Sequence, residues 1–384
     1  VGGGISLSSR LVKGGGYALR LPVIDVSEVG AGGGSIVQLN QAGNISVGPQ
    51  SAGALPGPVA YGRGGTSPTV TDANVALGYL SPHAIADGTV PIDAVGARNV
   101  LARDVAQPLD SGTDEISHGV LAIANALMAR SVRSVTTSRG RDPRDFALLA
   151  FGGSGGLHAV GLASSLGMRR VIVPPAAGVF SAFGLLFSDI ELVKSQGLLA
   201  SLDNADPGAV AAAFVSLEAS VLRHLGRPAE AVRLRRRVDL RYAGQAFELT
   251  VDMPAGAFGA EMRDKLAADF DMEHARTYGH SLPRSHPREI VTLRVIGTVA
   301  SDRPESRLAV RRRGDAMAPT RPAFFGELGW QETPIIERWA LTEPMRGPLI
   351  IEESDCTTVV PPGWTASLDG RLNVVIDQNG ESPA

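Results

Sequence analysis

The chain has 384 residues, 44% of them hydrophobic and 20% charged, which is length for two or three domains with ample material for buried cores. Its formal net charge of −3 gives no electrostatic reason to expect nucleic acid or an anionic membrane as partner. The single cysteine, Cys356, excludes an internal disulfide framework and a cysteine-cluster zinc site, and fits a reducing cytoplasm.

Val1 opens the sequence without methionine, a basic leader or a long apolar stretch, so no signal peptide is expected and the chain reads as part of something longer. The longest uncharged run, Val171 to Ser188, falls short of the roughly 20 apolar residues of a membrane span. It contains Pro174-Pro175 and reads as buried core. Residues 1–50 read as short β segments. Ile5-Ser6-Leu7 alternates, and Tyr17 to Val26 suggests a strand pair broken by Pro22. Val29 to Ser35 is a glycine loop running into a strand over Ile36 to Leu39, with a turn at Asn40 to Asn44. Gly32-Gly33-Gly34 serves either a hairpin bend or a ligand. Three glycines in succession exceed what a bend needs, and a chain without Cβ atoms lets a ligand approach the backbone.

Residues 48–72 are nearly all turn formers, and the spacing predicts a long ordered loop with a functional role. Asp72 precedes a helical stretch, Ala73 to Leu80, as an N-cap or as a catalytic or metal-binding acid. Ile116, Val120, Ile123, Leu127, Val132 and Val135 mark one face of a helix over Asp114 to Arg139, with Gly140 as its stop. The apolar run Phe146 to Ala150 then leads into Phe151-Gly152-Gly153-Ser154-Gly155-Gly156-Leu157-His158. A small-residue helix leads out to Leu166, and a strand follows at Val171 to Val173. Strand, glycine turn, helix, strand is α/β organisation with a parallel pair. A polar stretch at Ser195 to Pro207 marks a boundary, dividing the chain into residues 1–200 and 201–384. Beyond it come a helix (Gly208 to Leu225), a hairpin (Val238 to Tyr242, Phe247 to Val251) and a helix (Phe258 to Tyr278). A strand over Ile290 to Val299 precedes an exposed connection at 301–322 and a β-rich end with strands near 348–352, 357–360, 364–368 and 372–376. The basic runs Arg235 to Arg237 and Arg311 to Arg313 read as solvated faces.

The turn at Gly152 to Gly156 admits several chemistries. A Walker A loop would end in Gly-Lys-Ser/Thr, and none exists. A dinucleotide fingerprint fails because His158 occupies the third glycine position counted from Gly153, and Ser35 occupies it counted from Gly30. Gly152-Gly153-Ser154-Gly155-Gly156 does fit a nucleophile elbow, with His224, His274, His280 and His286 as candidate bases. The remaining reading is a glycine turn against the adenosine of a nucleotide, with Gly32-Gly33-Gly34 in the same cleft. The first amides of the following helix would favour an anion.

The stretches Ile24 to Ile36, Val47 to Gly65, Pro68 to Leu80 and Asp142 to His158 resemble the A-type subunit of the hydantoinase/5-oxoprolinase family. So do Val173 to Phe187, Arg241 to Leu249, Tyr278 to His280 and Gly347 to Trp364. That family includes ATP-using hydantoin and oxoproline hydrolases and ketone carboxylase subunits. The resemblance implies an α/β, actin-like (ribonuclease H-like) ATPase core, incomplete at the N-terminus, with a β-rich α+β C-terminal domain. It implies adenosine contacts from Gly32, Gly33, Gly34, Gly152, Gly153, Ser154 and Gly155, polar roles for Asp72 and His158, and ATP with Mg²⁺ as cofactors. The phosphate and metal loops are expected upstream of Val1, and no metal ligand is assigned within the chain. Under this reading Ser154 needs no nucleophilic role, and related sequences commonly carry alanine there. Leu55 stands where they often have aspartate, Ala60 where they have cysteine and Gly156 where they have proline. The implied partners are a cyclic amide substrate and a B-type subunit in an oligomeric cytoplasmic enzyme, with neither nucleic acid nor membrane.

Overall fold

A computed structural model describes residues 6–7, 22–23, 26–137, 140–301 and 319–380. Most of the Tyr17 to Val26 segment, most of the connection at 301–322 and the run Arg311 to Arg313 lie outside the described residues. The chain packs as two compact units: Ser27–Thr137, Arg141–Gly184 and Glu305–Ala384 form one, and Val1–Val26, Ser138–Gly140 and Leu185–Pro304 the other. Packing therefore divides the chain differently from a single cut near residue 200. The C-terminal strands return to complete a sheet begun by the central α/β segment.

In the first unit, that sheet has the spatial order Met345–Arg346, Trp364–Leu368, Val374–Gln378, Arg170–Val173, Leu148–Leu149. Leu148–Leu149 runs parallel to Arg170–Val173, as the strand–turn–helix–strand pattern predicts, while Val374–Gln378 pairs antiparallel to it. A second sheet combines Thr320–Phe324, Trp330–Ile336, Leu349–Glu352 and Thr357–Val360. A hairpin joins Ser35–Leu39 to Ile45–Ser51, so the first residues of the expected loop are strand, and the rest is punctuated by a 3₁₀ turn at Val59–Tyr61.

Helices α1 (Val70–Ala76), α2 (Ala94–Leu101), α3 (Thr113–Val135), α4 (Gly155–Leu166) and α5 (Phe180–Leu185) belong with these sheets. On α3 the apolar stripe is buried at Ile116, Val120, Leu121, Ala124 and Ala129. Asp114 and Glu115 in its first turn and Arg133 in its last complement the helix dipole. Small residues let α4 lie close to Thr357–Val360. A methyl group on Gly156 would come within 2.4 Å of Thr358 Oγ1 and 2.6 Å of the Thr357 carbonyl. A larger residue could not be placed here without moving that strand.

The second unit is an antiparallel sheet in the order Leu249–Met253, Val232–Tyr242, Arg288–Val299, Ile190–Ser201, with helices α6 (Pro207–Leu225) and α7 (Ala260–Tyr278). Asp206 caps α6 by accepting from the Gly208 and Ala209 amides, and Pro207 fits the first helical position. Val210, Ala213, Phe214, Leu217 and Val221 form the buried stripe of α6. Gly297 admits Val221, since a Cβ there would lie 2.3 Å from the valine. The basic run is not a free cationic surface: Arg236 pairs with Glu218 at 2.6 Å, Arg237 with Asp252 at 2.6 Å and Arg235 with Glu191 at 3.6 Å.

Candidate functional site

The two glycine turns picked out in the sequence, more than 110 residues apart in the chain, meet at the start of α1. Thr71 donates its backbone N–H (2.8 Å) and its hydroxyl (2.9 Å) to the Gly33 carbonyl. A methyl group on Gly33 would lie 2.8 Å from Thr71 Oγ1 and 3.2 Å from Ser154 Oγ, so the hydroxyl of one turn rests against the backbone of the other. Gly34 is held from the far side, with Ser51 Oγ 2.9 Å from the position of a Cβ and the Ala52 amide donating to its carbonyl at 2.8 Å.

The glycines divide into two groups. Gly33, Gly34 and Gly156 are required by the protein's own packing, and Gly152 by its backbone, with φ at 91°. Gly32, Gly153 and Gly155 are not: a Cβ would meet nothing within 4 Å at Gly32, only the Asp355 carbonyl at 3.4 Å at Gly153, and only the Ala150 carbonyl carbon at 3.8 Å at Gly155. Bare backbone that the fold does not demand is what close approach by a ligand requires.

A third segment closes this region. Gly152 donates to the Ala177 carbonyl at 2.7 Å, and Gly178 donates to Asp355 Oδ2 at 2.8 Å. Asp355 is thus the link between two loops. Both are anchored on Arg338, which is 1% exposed. Its guanidinium donates to Glu353 Oε1 (2.7 Å) and Oε2 (2.6 Å), and to the carbonyls of Val173 (2.9 Å), Pro174 (3.0 Å) and Leu372 (2.8 Å). All five of its N–H groups are engaged. Beside the turn, Phe151 remains 45% exposed and packs on Phe180, with ring centroids 5.4 Å apart.

The candidate polar residues fall elsewhere in this architecture. Asp72 is fully buried and occupies the third position of α1, whose N-cap is Thr69. One oxygen accepts from the Ala60 amide at 2.6 Å, the other from the Thr69 amide at 2.8 Å and hydroxyl at 2.7 Å. Burial raises its pKa against the opposing pull of those hydrogen bonds. Its geometry is that of a strut joining the loop at Ala60 to α1, with no face turned to a substrate. The N-cap expectation is corrected to the reciprocal arrangement of a capping box, because the threonine three residues earlier takes the cap.

His158 is buried in α4, its Nδ1 2.9 Å from Asn125 Oδ1 on α3. An amide oxygen only accepts, so Nδ1 carries the proton and Nε2, which has no hydrogen-bond partner, is a lone pair in an apolar surround. Burial lowers the imidazole pKa to about 4. A neutral histidine of this kind holds two helices together and has no acid to offer at pH 7.

Ser154 is the N-cap position of α4 with φ −99° and ψ −2°. That is right-handed backbone at the edge of the helical region, with negative φ, and Ser154 leads directly into α4. Of the candidate bases, His224 bonds the Ser220 carbonyl and His274 the His280 carbonyl. No imidazole or carboxylate is hydrogen-bonded to Ser154 Oγ among the described residues. Among those residues no group of three His, Cys, Asp or Glu side chains is arranged to hold a metal. No chemical step is assigned to a metal.

Residues 6–194 match the hydantoinase/oxoprolinase domain and residues 203–374 the hydantoinase/oxoprolinase C-terminal domain. The chain is 34% identical to the alpha subunit of caprolactamase from Pseudomonas jessenii, over 96% of this chain and 56% of that protein. It is 30% identical to the gamma subunit of acetophenone carboxylase from Aromatoleum aromaticum, over 96% of this chain and 52% of that protein. The crystal structure of ATP-dependent caprolactamase from Pseudomonas jessenii superposes with a TM-score of 0.84 at 33% identity, over 95% of this chain and 54% of that one. Nucleotide-free acetone carboxylase superposes with a TM-score of 0.69 at 26% identity, over 94% of this chain and 53% of that one. The chain thus spans about half the length of the relatives it matches.

Proposed function

The chain belongs to the hydantoinase/oxoprolinase family, and we propose that it supplies the adenosine side of the active site in an ATP-dependent cyclic amide hydrolase. The observation that carries this is the meeting of the two glycine turns at Gly33, which lies against both Thr71 and Ser154, with three glycines left bare that the fold does not require. In this reading the first unit is the actin-like part of an ATPase. Gly32 of one turn, and Gly153 and Gly155 of the other, lie against the nucleoside. Phe151 offers an exposed aromatic edge beside it. Arg338 and Asp355 hold the loop at Ala177 and Gly178 in register with the turn.

ATP is suited to this reaction because an unstrained cyclic amide resists water, and phosphorylation of the amide oxygen makes its carbon electrophilic and provides a leaving group. The residues of this chain bind and orient; they move no proton in the proposal, since Asp72 and His158 are both turned inward. The phosphate and metal side of the cleft comes from outside the described residues, and a B-type subunit completes the assembly in a cytoplasmic oligomer. The chain alone should then bind nucleotide weakly and turn over little.

Similarity to acetophenone and acetone carboxylase proteins supports a second reading, in which the same ATP chemistry activates a ketone. Phosphate release measured with 5-oxoproline, hydantoins, caprolactam and ketones, on a full-length protein that also carries the phosphate and metal side, combined with a B-type subunit, separates the two. Stimulation by cyclic amides supports the first reading and stimulation by ketones the second. No substrate-dependent release would remove both and leave an accessory module.

A further inference from the structure

The hairpin turn between Leu349–Glu352 and Thr357–Val360 reaches the bare glycines of the nucleotide surface. Glu353 closes the turn by donating its backbone N–H to the Cys356 carbonyl at 2.9 Å, which leaves Ser354 and Asp355 at the tip. The Glu353 side chain is gripped by Arg338, and Cys356 is buried, so the tip is anchored at both ends.

Asp355 sits between two of the glycine segments. Its backbone carbonyl lies 3.4 Å from the position of a Cβ on Gly153 and 2.3 Å from that of a Cβ on Gly178, so a side chain at 178 would displace it. Its Oδ2 accepts from the Gly178 amide at 2.8 Å. The residue is half-buried, and its Oδ1 has no hydrogen bond among the described residues and is not sealed in the interior. One carboxylate oxygen is thus engaged by the fold, and the other is left over beside Gly153.

A carboxylate only accepts, so a ligand group meeting that oxygen must be a donor. Its charge also repels phosphate, which places it at the nucleoside end of a nucleotide. The donors available there are the sugar hydroxyls and an exocyclic amine of the base. The bare backbone of Gly153 and Gly155 and the exposed ring of Phe151 suit the flat base, which leaves the carboxylate for the sugar. An acid takes the ribose hydroxyl in the same way beside the glycine turn of dinucleotide-binding folds. We propose that Asp355 is a specificity-determining residue, accepting from a ribose hydroxyl through Oδ1 while Oδ2 holds Gly178. The choice of a nucleotide rests on the function proposed above; the spare oxygen does not.

The test is equilibrium binding of the full chain to ATP, 2′-deoxy-ATP, 3′-deoxy-ATP and inosine triphosphate, which lacks the exocyclic amine. At least one deoxy form should bind about tenfold more weakly than ATP, as expected for the loss of a hydrogen bond to a charged acceptor. In Asp355→Asn the amide oxygen still accepts from Gly178, while the second oxygen becomes an NH₂ group. That variant should unfold at the same urea concentration as wild type, and its preference for ATP over the deoxy forms should shrink to about threefold or less. The wild-type ratios carry the test if the variant unfolds. Equal affinity of wild type for ATP and both deoxy forms, or unchanged discrimination in Asp355→Asn, overturns the assignment, while ATP binding itself leaves the proposed function standing. A preference for ATP over inosine triphosphate that disappears in Asp355→Asn would put the carboxylate on the base and overturn it too. No binding of ATP by wild type would remove both.

Discussion

His158 gives the sharpest test of whether the α3–α4 contact is built as described. Its folded pKa is lowered from 6.5 to about 4 by burial, so the folded state prefers the neutral ring. The stabilising contribution is fully present above the unfolded pKa and is lost as pH falls from 6.5 towards 4, because the unfolded chain takes up the proton first. At about 1.4 kcal/mol per pH unit, acidification from pH 6.5 to 5 should remove about 2 kcal/mol from this source. Other groups titrate in the same window, so the quantity to measure is the difference from His158→Asn. Asparagine can still donate to Asn125 Oδ1 from the Nδ1 position, but it has no titratable group. Urea unfolding at several pH values should show wild type more stable at pH 7.5, with the gap closing by about 2 kcal/mol at pH 5. Parallel curves would mean that His158 titrates normally, and the buried neutral imidazole would be wrong.

Three further outcomes follow from the same packing. Gly32→Ala should leave stability within about 0.5 kcal/mol, since nothing lies within 4 Å of the new methyl group, yet lower ATP affinity at least several-fold in an equilibrium binding assay; unchanged affinity would remove Gly32 from the nucleotide surface. Arg338→Met leaves the half-buried Glu353 without its guanidinium and the Val173, Pro174 and Leu372 carbonyls without their donor, and should cost about 3–5 kcal/mol in denaturant unfolding, with the double variant Arg338→Met/Glu353→Gln less damaged than the single. Asp72→Asn turns an acceptor into a donor facing either the Ala60 or the Thr69 amide, and should cost about 1–3 kcal/mol; an effect on turnover with stability intact would instead place Asp72 at the reacting centre.

Much of the architecture is legible in the sequence because its elements carry strong local signals. The stripe of α3, the hairpin around Gly244 and the strand–glycine turn–helix at Phe151 all appear within a few residues of their expected positions. The strand Ile190–Ser201 is hidden because it lies at a sheet edge with many exposed residues, so it reads as a polar boundary. The hairpin strand Ile45–Ser51 is hidden by its glycine and proline, which read as loop.

At the site, the two glycine turns stand out through composition, but what joins them does not. Thr71 reads as one more loop residue, and Arg338 finds its partners at Glu353, Val173, Pro174 and Leu372, up to 165 residues away. Asp72 and His158 illustrate the reverse. Both are residue types that suggest chemistry, and only burial and hydrogen-bond direction show that they face inward. No periodicity or spacing carries that information.

The central claim is that nucleotide lies against the paired glycine turns. Hydrogen–deuterium exchange of the full chain, with and without saturating ATP, tests it directly. The account predicts slowed exchange over residues 30–36, 69–72, 150–158 and 176–179. Saturation without protection at those turns, or protection confined to the unit formed by residues 185–304, would contradict it.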